Sequence, residues 1–255
     1  MMQMIEGYSV LITGGGSGIG RGVAEYLAAR GAMVTITGRR ADKLKDAARA
    51  IGKSCTIAVG DVSVEEDRKR MIDTAVVHGG GLQGLFNNAG NMLRAPITEL
   101  TAEDILDVMN VNVVAGMRLT GLAVPHLEQH GGAVVFVGSG HTRRAFPGAS
   151  PYAAAKGAVE VLAQVLAAEL GPKRIRVNCV VPGAVPTEIN VRAGVASSFE
   201  DNKSRLNSMI DDHPLGRIGT PEDIAEAVDY LLRAEWTTGA SVVVDGGLAL
   251  GVSYK

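Results

Sequence analysis

Short apolar runs alternate with longer stretches of helical periodicity along almost the whole chain. The apolar runs are only a few residues long, are rich in valine and isoleucine, and are bounded by glycine or polar residues, as buried strands are. We predict strands at Ser9–Ile12, Met33–Thr37, Thr56–Val59, Gly84–Asn87, Ala133–Val137, Ile175–Val181 and Ser241–Val244. Because these strands are apolar on both sides, the pattern predicts a parallel sheet covered by helices on both faces.

The stretches between the strands carry helix start and stop signals. We predict helices at Ile19–Ala29, Ala41–Ala50, Ser63 to Val77, Thr101 towards His130, Ala153–Leu170 and Thr220 to Arg233. Thr101 with Asp104, and Ser63 with Glu66, have the spacing of a capping box. The fold class is therefore α/β, with one doubly wound, Rossmann-type domain over residues 1–255 that binds ligands at the carboxyl ends of its strands.

One segment, residues 188–213, interrupts this alternation. It is polar, mixed in charge and long for a connection inside a compact domain. Two interpretations are open, a disordered surface insertion and a substrate lid. We favour the lid because the segment leaves the sheet at the edge where ligands bind.

Composition narrows the classes of function. The 255 residues are 46% hydrophobic, and a net charge of −2 gives no electrostatic reason to expect binding to nucleic acid or to an anionic membrane. Cys55 and Cys179 lie in apolar strand segments, which favours buried free thiols, and the scattered histidines predict no metal site. Residues 1–8 lack a signal pattern and no run of 18 apolar residues occurs, so we expect a cytoplasmic protein.

A glycine-rich loop joins the first strand to the first helix. Glycines there let the backbone approach a pyrophosphate, and the helix N-terminus offers unpaired N–H groups. A plain tight turn is the alternative. The predicted cofactor-binding residues of this loop are Gly14, Ser17, Gly18, Ile19 and Gly20.

The second and third strands end in residues suited to an adenosine. The second runs into Thr37-Gly38-Arg39-Arg40, which lacks the acid that typically holds the ribose hydroxyls of NAD. A guanidinium from Arg39 would accept a 2′-phosphate, so NADP(H) is favoured over NAD(H). Alternatively the two arginines are a solvated pair and NAD is bound by backbone groups. Asp61 and Val62 end the third strand, either beside the adenine or in a structural turn.

Tyr152 and Lys156 carry the candidate chemistry. Four residues apart on a helix, they share one face, and a nearby ammonium lowers the pKa of a phenol towards neutrality. Most such pairs are surface neighbours, so the context matters. Ser139 ends the fifth strand, thirteen residues before Tyr152, and Asn112 stands mid-helix, where asparagine is unfavourable without a buried partner.

Together these motifs resemble the short-chain dehydrogenase/reductase superfamily, in its common subgroup of about this length, over nearly the whole chain. The motifs that carry the resemblance are the glycine loop, Asp61-Val62, Asn87-Asn88-Ala89-Gly90, Asn112, Ser139, Tyr152 with Lys156, Pro182-Gly183 and Val244-Asp245-Gly246-Gly247. The spacing of Tyr152 and Lys156 does not resemble the divergent enoyl-reductase branch.

The resemblance implies a role for each catalytic residue. Tyr152 would be the acid–base residue, and Ser139 would bond the substrate oxygen. Lys156 would hold the ribose and lower the Tyr152 pKa, while Asn112 would kink its helix and hold a water. Further cofactor contacts are implied at Asn88, Gly90, Val185 and Thr187. The family commonly forms tetramers, so a homotetramer is expected.

The expected function is an NADP(H)-preferring oxidoreductase that interconverts a secondary alcohol and its ketone. A 3-oxoacyl thioester or a small ketone is the favoured substrate. Two alternatives stay open: an NAD-dependent dehydrogenase of a sugar, polyol or cyclic alcohol, and a non-catalytic dinucleotide-sensing or scaffold protein. Arg94, His141, Arg143, Arg144 and Phe146 flank the catalytic segments, either as substrate contacts or as solvated loop residues.

Overall fold

A single parallel sheet organises the chain, which a computed structural model describes over residues 4–251. Within these residues seven strands follow the order β3-β2-β1-β4-β5-β6-β7. They are β1 (Ser9–Thr13), β2 (Met33–Gly38), β3 (Cys55–Val59), β4 (Gly84–Asn87), β5 (Ala133–Val137), β6 (Arg176–Pro182) and β7 (Ser241–Val244). The predicted α/β, Rossmann-type class is confirmed, and each predicted strand is present with ends that agree to within a residue.

Helices cover both faces of the sheet. They are α1 (Gly18–Ala28), α2 (Ala41–Ile51), α3 (Glu65–Gly79), α4 (Ala102–Met109), α5 (Ala115–Leu127), α6 (Ser150–Leu170), α7 (Ile189–Arg192), α8 (Phe199–Asn207) and α9 (Pro221–Arg233). One apolar core joins the sheet to α3, α5 and α6 through side chains such as Met71, Leu119 and Val159. The other joins it to α1, α2 and α9, so both faces of the inner strands are buried, as their continuous apolar sequences require, whereas the edge strands β3 and β7 are partly exposed.

The chain reverses its direction of winding between β1 and β4. From β1 it builds outwards to β2 and β3, and then returns to place β4 against the other side of β1, with Leu11 opposite Leu85. In doubly wound sheets the ligand crevice opens at this switch point, outside the carboxyl ends of the strands. The fold therefore brings the ends of β1, β2, β4, β5 and β6 to one edge.

Two predicted helix starts need correction. Helix α6 begins at Ser150 rather than Ala153, because Pro151 is accommodated in the first turn, where no backbone N–H is required. The capping box predicted from Ser63 and Glu66 is wrong: Ser63 donates its N–H (2.9 Å) and its hydroxyl (2.7 Å) to Asp61 Oδ1 instead. The capping box predicted at Thr101 is formed, and the structure has a further one at Thr220.

The predicted long helix after Thr101 is interrupted. A single π turn, Asn110–Val114, separates α4 from α5, and the helix ends at Leu127. By length and composition residues 102–127 are apolar enough to cross a membrane. Core helices of soluble proteins pass the same test, and α4 and α5 pack against α6 and α3.

Candidate active site

A cleft of about 960 Å³ runs along the carboxyl edge of the sheet. It is bounded by the glycine loop on one side and by α7 and α8 on the other. The predicted site residues that line it are Gly14, Ser17, Gly18, Ile19, Arg39, Asp61, Val62, Asn88, Gly90, Ser139, Tyr152, Lys156, Val185 and Thr187. Gly20 and Asn112 do not line it: each stands directly behind a lining residue.

The glycine loop is shaped as a cradle for a phosphate group. Gly14 (φ +67°) and Gly18 (φ +55°) have left-handed backbone conformations that favour glycine. Across the cleft, a Cβ added to Gly18 would lie 3.1 Å from Thr187 Cγ2. Helix α1 begins at Gly18, so its unpaired N–H groups and positive dipole end point into the cleft. This loop fits the pyrophosphate of a dinucleotide.

Asn88 fixes the glycine loop to the end of β4. Its Nδ2 donates to the carbonyl of Thr13 (2.8 Å), and Thr13 Oγ1 accepts from the backbone N–H groups of Asn88 and Ala89, each at 3.0 Å. Thr13 is buried, so these bonds replace water that the strand ends would otherwise need. Besides lining the cleft, Asn88 therefore determines where the loop lies.

Cations surround the part of the cleft at the ends of β2 and β3. Arg39 is 71% exposed, with Nη1 3.7 Å from Asp61 Oδ2. Arg40 lies closer to the loop: its Nη2 donates to Ser17 Oγ (3.1 Å) and to Glu188 Oε2 (2.6 Å). Sequence reasoning singled out Arg39 and missed the position of Arg40, because its partner Glu188 is remote in sequence.

Asp61 is held as a carboxylate. Burial acts to raise its pKa, but the hydrogen bonds from Ser63 and the charge of Arg39 outweigh it, so the pKa of Asp61 is lowered. The carboxylate therefore stays ionised at neutral pH and faces the cleft as a hydrogen-bond acceptor.

Ser139 and Tyr152 meet at the inner end of the cleft, each only 8% exposed. Ser139 lies two residues after the end of β5, and Tyr152 stands in the first turn of α6. Burial raises the pKa of Tyr152, while a hydrogen bond with Ser139 acts in the opposite direction. The phenol is therefore protonated at neutral pH.

Lys156 lies beside this pair but is directed at the sheet. Its Nζ donates to the carbonyl of Val137 (2.9 Å) and lies 5.5 Å from the centre of the Tyr152 ring. Burial is the largest influence on the pKa of Tyr152 and raises it, so the lowered Tyr152 pKa predicted from the four-residue spacing is not found in this structure. Burial also lowers the pKa of Lys156 from 10.5 to about 8.

This buried ammonium costs the protein stability. Removing the buried charge should stabilise the folded protein, whereas losing the hydrogen bond to Val137 should destabilise it by roughly 1 kcal/mol. We therefore expect Lys156→Met to raise the free energy of unfolding at neutral pH by a net amount of about 2 kcal/mol. The pKa of Lys156 is lowered in the folded state, so the gain is full below pH ~8 and fades towards pH ~10.5. Urea unfolding of both proteins at pH 7 and pH 10.5 measures it; an equal gain at both values would contradict this origin.

Asn112 supports the site from behind Gly90. It lies in the π turn, and its Nδ2 donates to Val108 O (2.9 Å) and to Asn91 O (2.9 Å) and Oδ1 (2.7 Å). The predicted helix distortion is present. Its buried Oδ1 has no hydrogen-bond partner within residues 4–251, and a Cβ on Gly90 would lie 2.7 Å from it. That oxygen is an acceptor suited to the predicted water.

The flanking arginines are mostly paired. Arg143 forms an ion pair with buried Glu160 of α6, and Arg144 pairs with Asp212 at 3.0 Å. Both arginines are exposed, and their charges are balanced by these acids. Between residues 4 and 251 no group of three or more His, Cys, Asp or Glu side chains could hold a metal ion.

Comparison with known proteins identifies the family. The family model described as "Enoyl-(Acyl carrier protein) reductase" matches residues 14–249. A putative ketoacyl reductase of granaticin polyketide synthase from Streptomyces violaceoruber is 36% identical, with 94% of this chain and 95% of that protein covered. The chain belongs to the short-chain dehydrogenase/reductase superfamily.

Two further relatives show how broad the similarity is. Glucose 1-dehydrogenase of Gluconobacter oxydans is 34% identical over 96% of this chain and 92% of its own. The crystal structure of a short-chain dehydrogenase/reductase of unknown function from Caenorhabditis elegans, solved with cofactor, has a TM-score of 0.90 and 30% identity, and 98% of each chain is covered. This short-chain dehydrogenase/reductase is thus an NAD(P)-dependent oxidoreductase of carbonyl or alcohol substrates. The names of its relatives differ in substrate, so membership alone does not choose one.

Proposed function

We propose that this short-chain dehydrogenase/reductase prefers NADP(H) and reduces a ketone, with a 3-oxoacyl thioester or a small ketone as substrate. The observation that carries the cofactor preference is a pair of arginines directly after β2. Arg39 lines the cleft, and Arg40 bonds Ser17 of the glycine loop. Arg39 stands directly after β2, where NAD-binding domains typically carry an acid, and guanidinium groups bind phosphate oxygens strongly.

Residues along the cleft would contact each part of the dinucleotide. Its glycine loop would hold the pyrophosphate, Arg39 the 2′-phosphate, and Asp61 with Val62 the adenine. Asn88, Gly90, Val185 and Thr187 line the cleft towards Tyr152 and complete the set. When bound, the dinucleotide supplies the hydride.

The protein's own groups then handle the proton. A carbonyl oxygen seated between Ser139 and Tyr152 would accept a hydrogen bond from the serine and the phenolic proton from Tyr152 as it gains negative charge. Tyr152 is protonated at neutral pH, which is the state that a proton donor in ketone reduction requires. Lys156 and the free oxygen of Asn112 would lie on the route that returns a proton to Tyr152.

The reaction is tested by following NADPH absorbance in the presence of 3-oxoacyl thioesters and small ketones. The alternative, an NAD-dependent sugar or polyol dehydrogenase, is tested in the same way with NAD⁺ and these alcohols; it draws support from the similarity to a glucose dehydrogenase. Ketone reduction with NADPH at a higher kcat/KM than any alcohol oxidation supports the proposal. Faster oxidation of a sugar with NAD⁺ would favour the alternative, and no turnover in either panel would favour the non-catalytic one.

Cofactor preference should depend on Arg39. In Arg39→Asp the new carboxylate would repel a 2′-phosphate, so we expect NADPH affinity to fall by about tenfold or more, roughly 1.4 kcal/mol, with NADH affinity unchanged or improved. Arg49→Asp, an equal charge change on the exposed side of α2, is the control for general electrostatics. An unchanged preference in Arg39→Asp would remove the assignment.

We also propose that residues 188–213 act as a substrate lid and that the protein is a cytoplasmic homotetramer. The segment folds into α7 and α8, and its Ile189, Leu206 and Met209 line the cleft. Proteolysis within it should slow when NADPH and substrate bind.

Exposed Val161 (60%) and Val165 (57%) on α6 support an assembly surface, because apolar side chains in a row favour contact with another copy.

A further inference from the structure

His141 lies against the residue that would bond the substrate oxygen. After β5 the chain forms a short 3₁₀ turn, Gly140–Thr142. This turn brings His141 Nδ1 to 3.1 Å from Ser139 Oγ, and the backbone N–H of His141 donates to the same oxygen at 3.3 Å. The serine hydroxyl is therefore contacted twice by one residue.

The 3₁₀ turn that holds His141 is held in place by contacts with helix α6. Thr142 Oγ1 donates to the carbonyl of Ser139 (2.8 Å) and lies 2.6 Å from Glu160 Oε1, and Glu160 is itself paired with Arg143. Glu160 is buried on α6, the helix that carries Tyr152 and Lys156. The position of His141 relative to Ser139 is therefore tied to the catalytic helix.

The imidazole is packed between two aromatic rings and remains neutral. It lies edge-on to Tyr152, with 5.2 Å between ring centres, and 4.4 Å from the ring of Phe146. Burial and the nearby cations Arg94 and Lys156 lower the pKa of His141 to about 4. A neutral imidazole carries one ring proton, so its Nδ1 either donates or accepts, depending on the tautomer.

The tautomer determines where the serine proton goes. The Ser139 hydroxyl has one proton and two acceptor positions, and the backbone N–H of His141 occupies one of these. If Nδ1 carries the ring proton, it occupies the second, so the serine must donate its own proton elsewhere. If Nδ1 is bare, it accepts the serine proton and turns it away from Tyr152.

We propose that His141 carries its proton on Nδ1 and acts as a positioning residue, which directs the Ser139 hydroxyl proton towards the reacting carbonyl oxygen beside Tyr152. This inference rests on the proposed function through the role of Ser139. It adds His141 to the residues that orient the protons at the reacting oxygen. In this tautomer the Nε2 lone pair of His141, a residue that lines the cleft, remains available as a hydrogen-bond acceptor.

Two substitutions separate the donor from the packing of the ring. His141→Asn keeps an N–H donor at the position of Nδ1, whereas His141→Phe keeps the aromatic packing and loses the donor. We expect kcat to fall by about tenfold in His141→Phe and to stay within about threefold of the native value in His141→Asn, because a preorganised donor acts mainly in the transition state. NADPH affinity should be unchanged in both. A native kcat in His141→Phe, or equal losses in the two variants, would overturn the proposal.

A direct reading of the tautomer does not depend on turnover. In the ¹⁵N-labelled full-length protein at pH 7, two-dimensional NMR of the imidazole nitrogens distinguishes protonated Nδ1 from protonated Nε2, and the His141 signal is assigned by its loss in His141→Asn. We expect protonated Nδ1. A protonated Nε2 in an active reductase would overturn this inference alone, whereas protonated Nδ1 in a protein that turns over no carbonyl or alcohol would overturn the proposed function alone.

Discussion

Tyr152→Phe should lower kcat for ketone reduction by about 10²- to 10⁴-fold, the usual contribution of a positioned acid. The substitution removes only the phenolic oxygen. Its ring remains in the pocket formed with His141, where the native ring is 8% exposed, so the fold and the cleft should be kept. NADPH affinity, measured by fluorescence titration, should remain within about threefold of native.

The matched control for this loss is Tyr230→Phe. Tyr230 lies on α9, is 42% exposed and bonds Thr237 Oγ1 at 3.0 Å, so its hydroxyl does not meet the cleft. We expect its turnover to match that of the native protein. Native turnover in Tyr152→Phe would mean that another group supplies the proton, and the assignment of Tyr152 would be lost.

Gly20→Ala should weaken dinucleotide binding by about 100-fold, or roughly 3 kcal/mol. A Cβ at Gly20 would lie 2.5 Å from both Asn88 Nδ2 and the carbonyl oxygen of Gly14. Neither atom can move freely, because Asn88 holds the end of β1 through Thr13. The added methyl group therefore has to displace the glycine loop from the position in which it would hold the pyrophosphate.

Overpacking of this kind costs about 1–3 kcal/mol of stability, which a domain with 5–15 kcal/mol tolerates, so the variant should still fold. Gly121→Ala on α5 is the control. It places the same methyl group in open space on a helix, where alanine is better than glycine by about 1 kcal/mol. Native NADPH affinity in Gly20→Ala, or an equal loss in both variants, would contradict the role given to the loop.

Local sequence patterns predicted the features of this fold that depend on short-range chemistry. Apolar runs located the strands, and a glycine loop between β1 and α1 located the cleft. Propensity predicted a buried partner for Asn112, because an amide is unfavourable in a helix interior without one, and the family resemblance implied that Asn112 distorts its helix. The structure has a π turn there, with Nδ2 bonded to Val108 O, four residues earlier.

Other features depend on contacts between distant segments or on competing acceptors. Tyr152 and Lys156 lie on one helix, as their spacing predicted. The Lys156 ammonium, however, bonds a carbonyl of β5, and the helix sequence gives no information about that contact. Arg40 forms an ion pair with Glu188 across the cleft. Ser63 donates its hydroxyl proton to Asp61 and does not cap a helix. The His141 contact with Ser139 spans only two residues, but it depends on the 3₁₀ turn Gly140–Thr142, which the sequence pattern did not predict.

The measurement that tests the central claim most directly is a titration of the purified protein with NADPH and with NADH at fixed salt, followed by nicotinamide fluorescence. We expect tighter binding of NADPH by tenfold or more, about 1.4 kcal/mol, because the 2′-phosphate would meet Arg39 with no acid from β2 beside it. Equal or tighter binding of NADH would contradict the claim and would direct the substrate search to the oxidation of sugars and polyols.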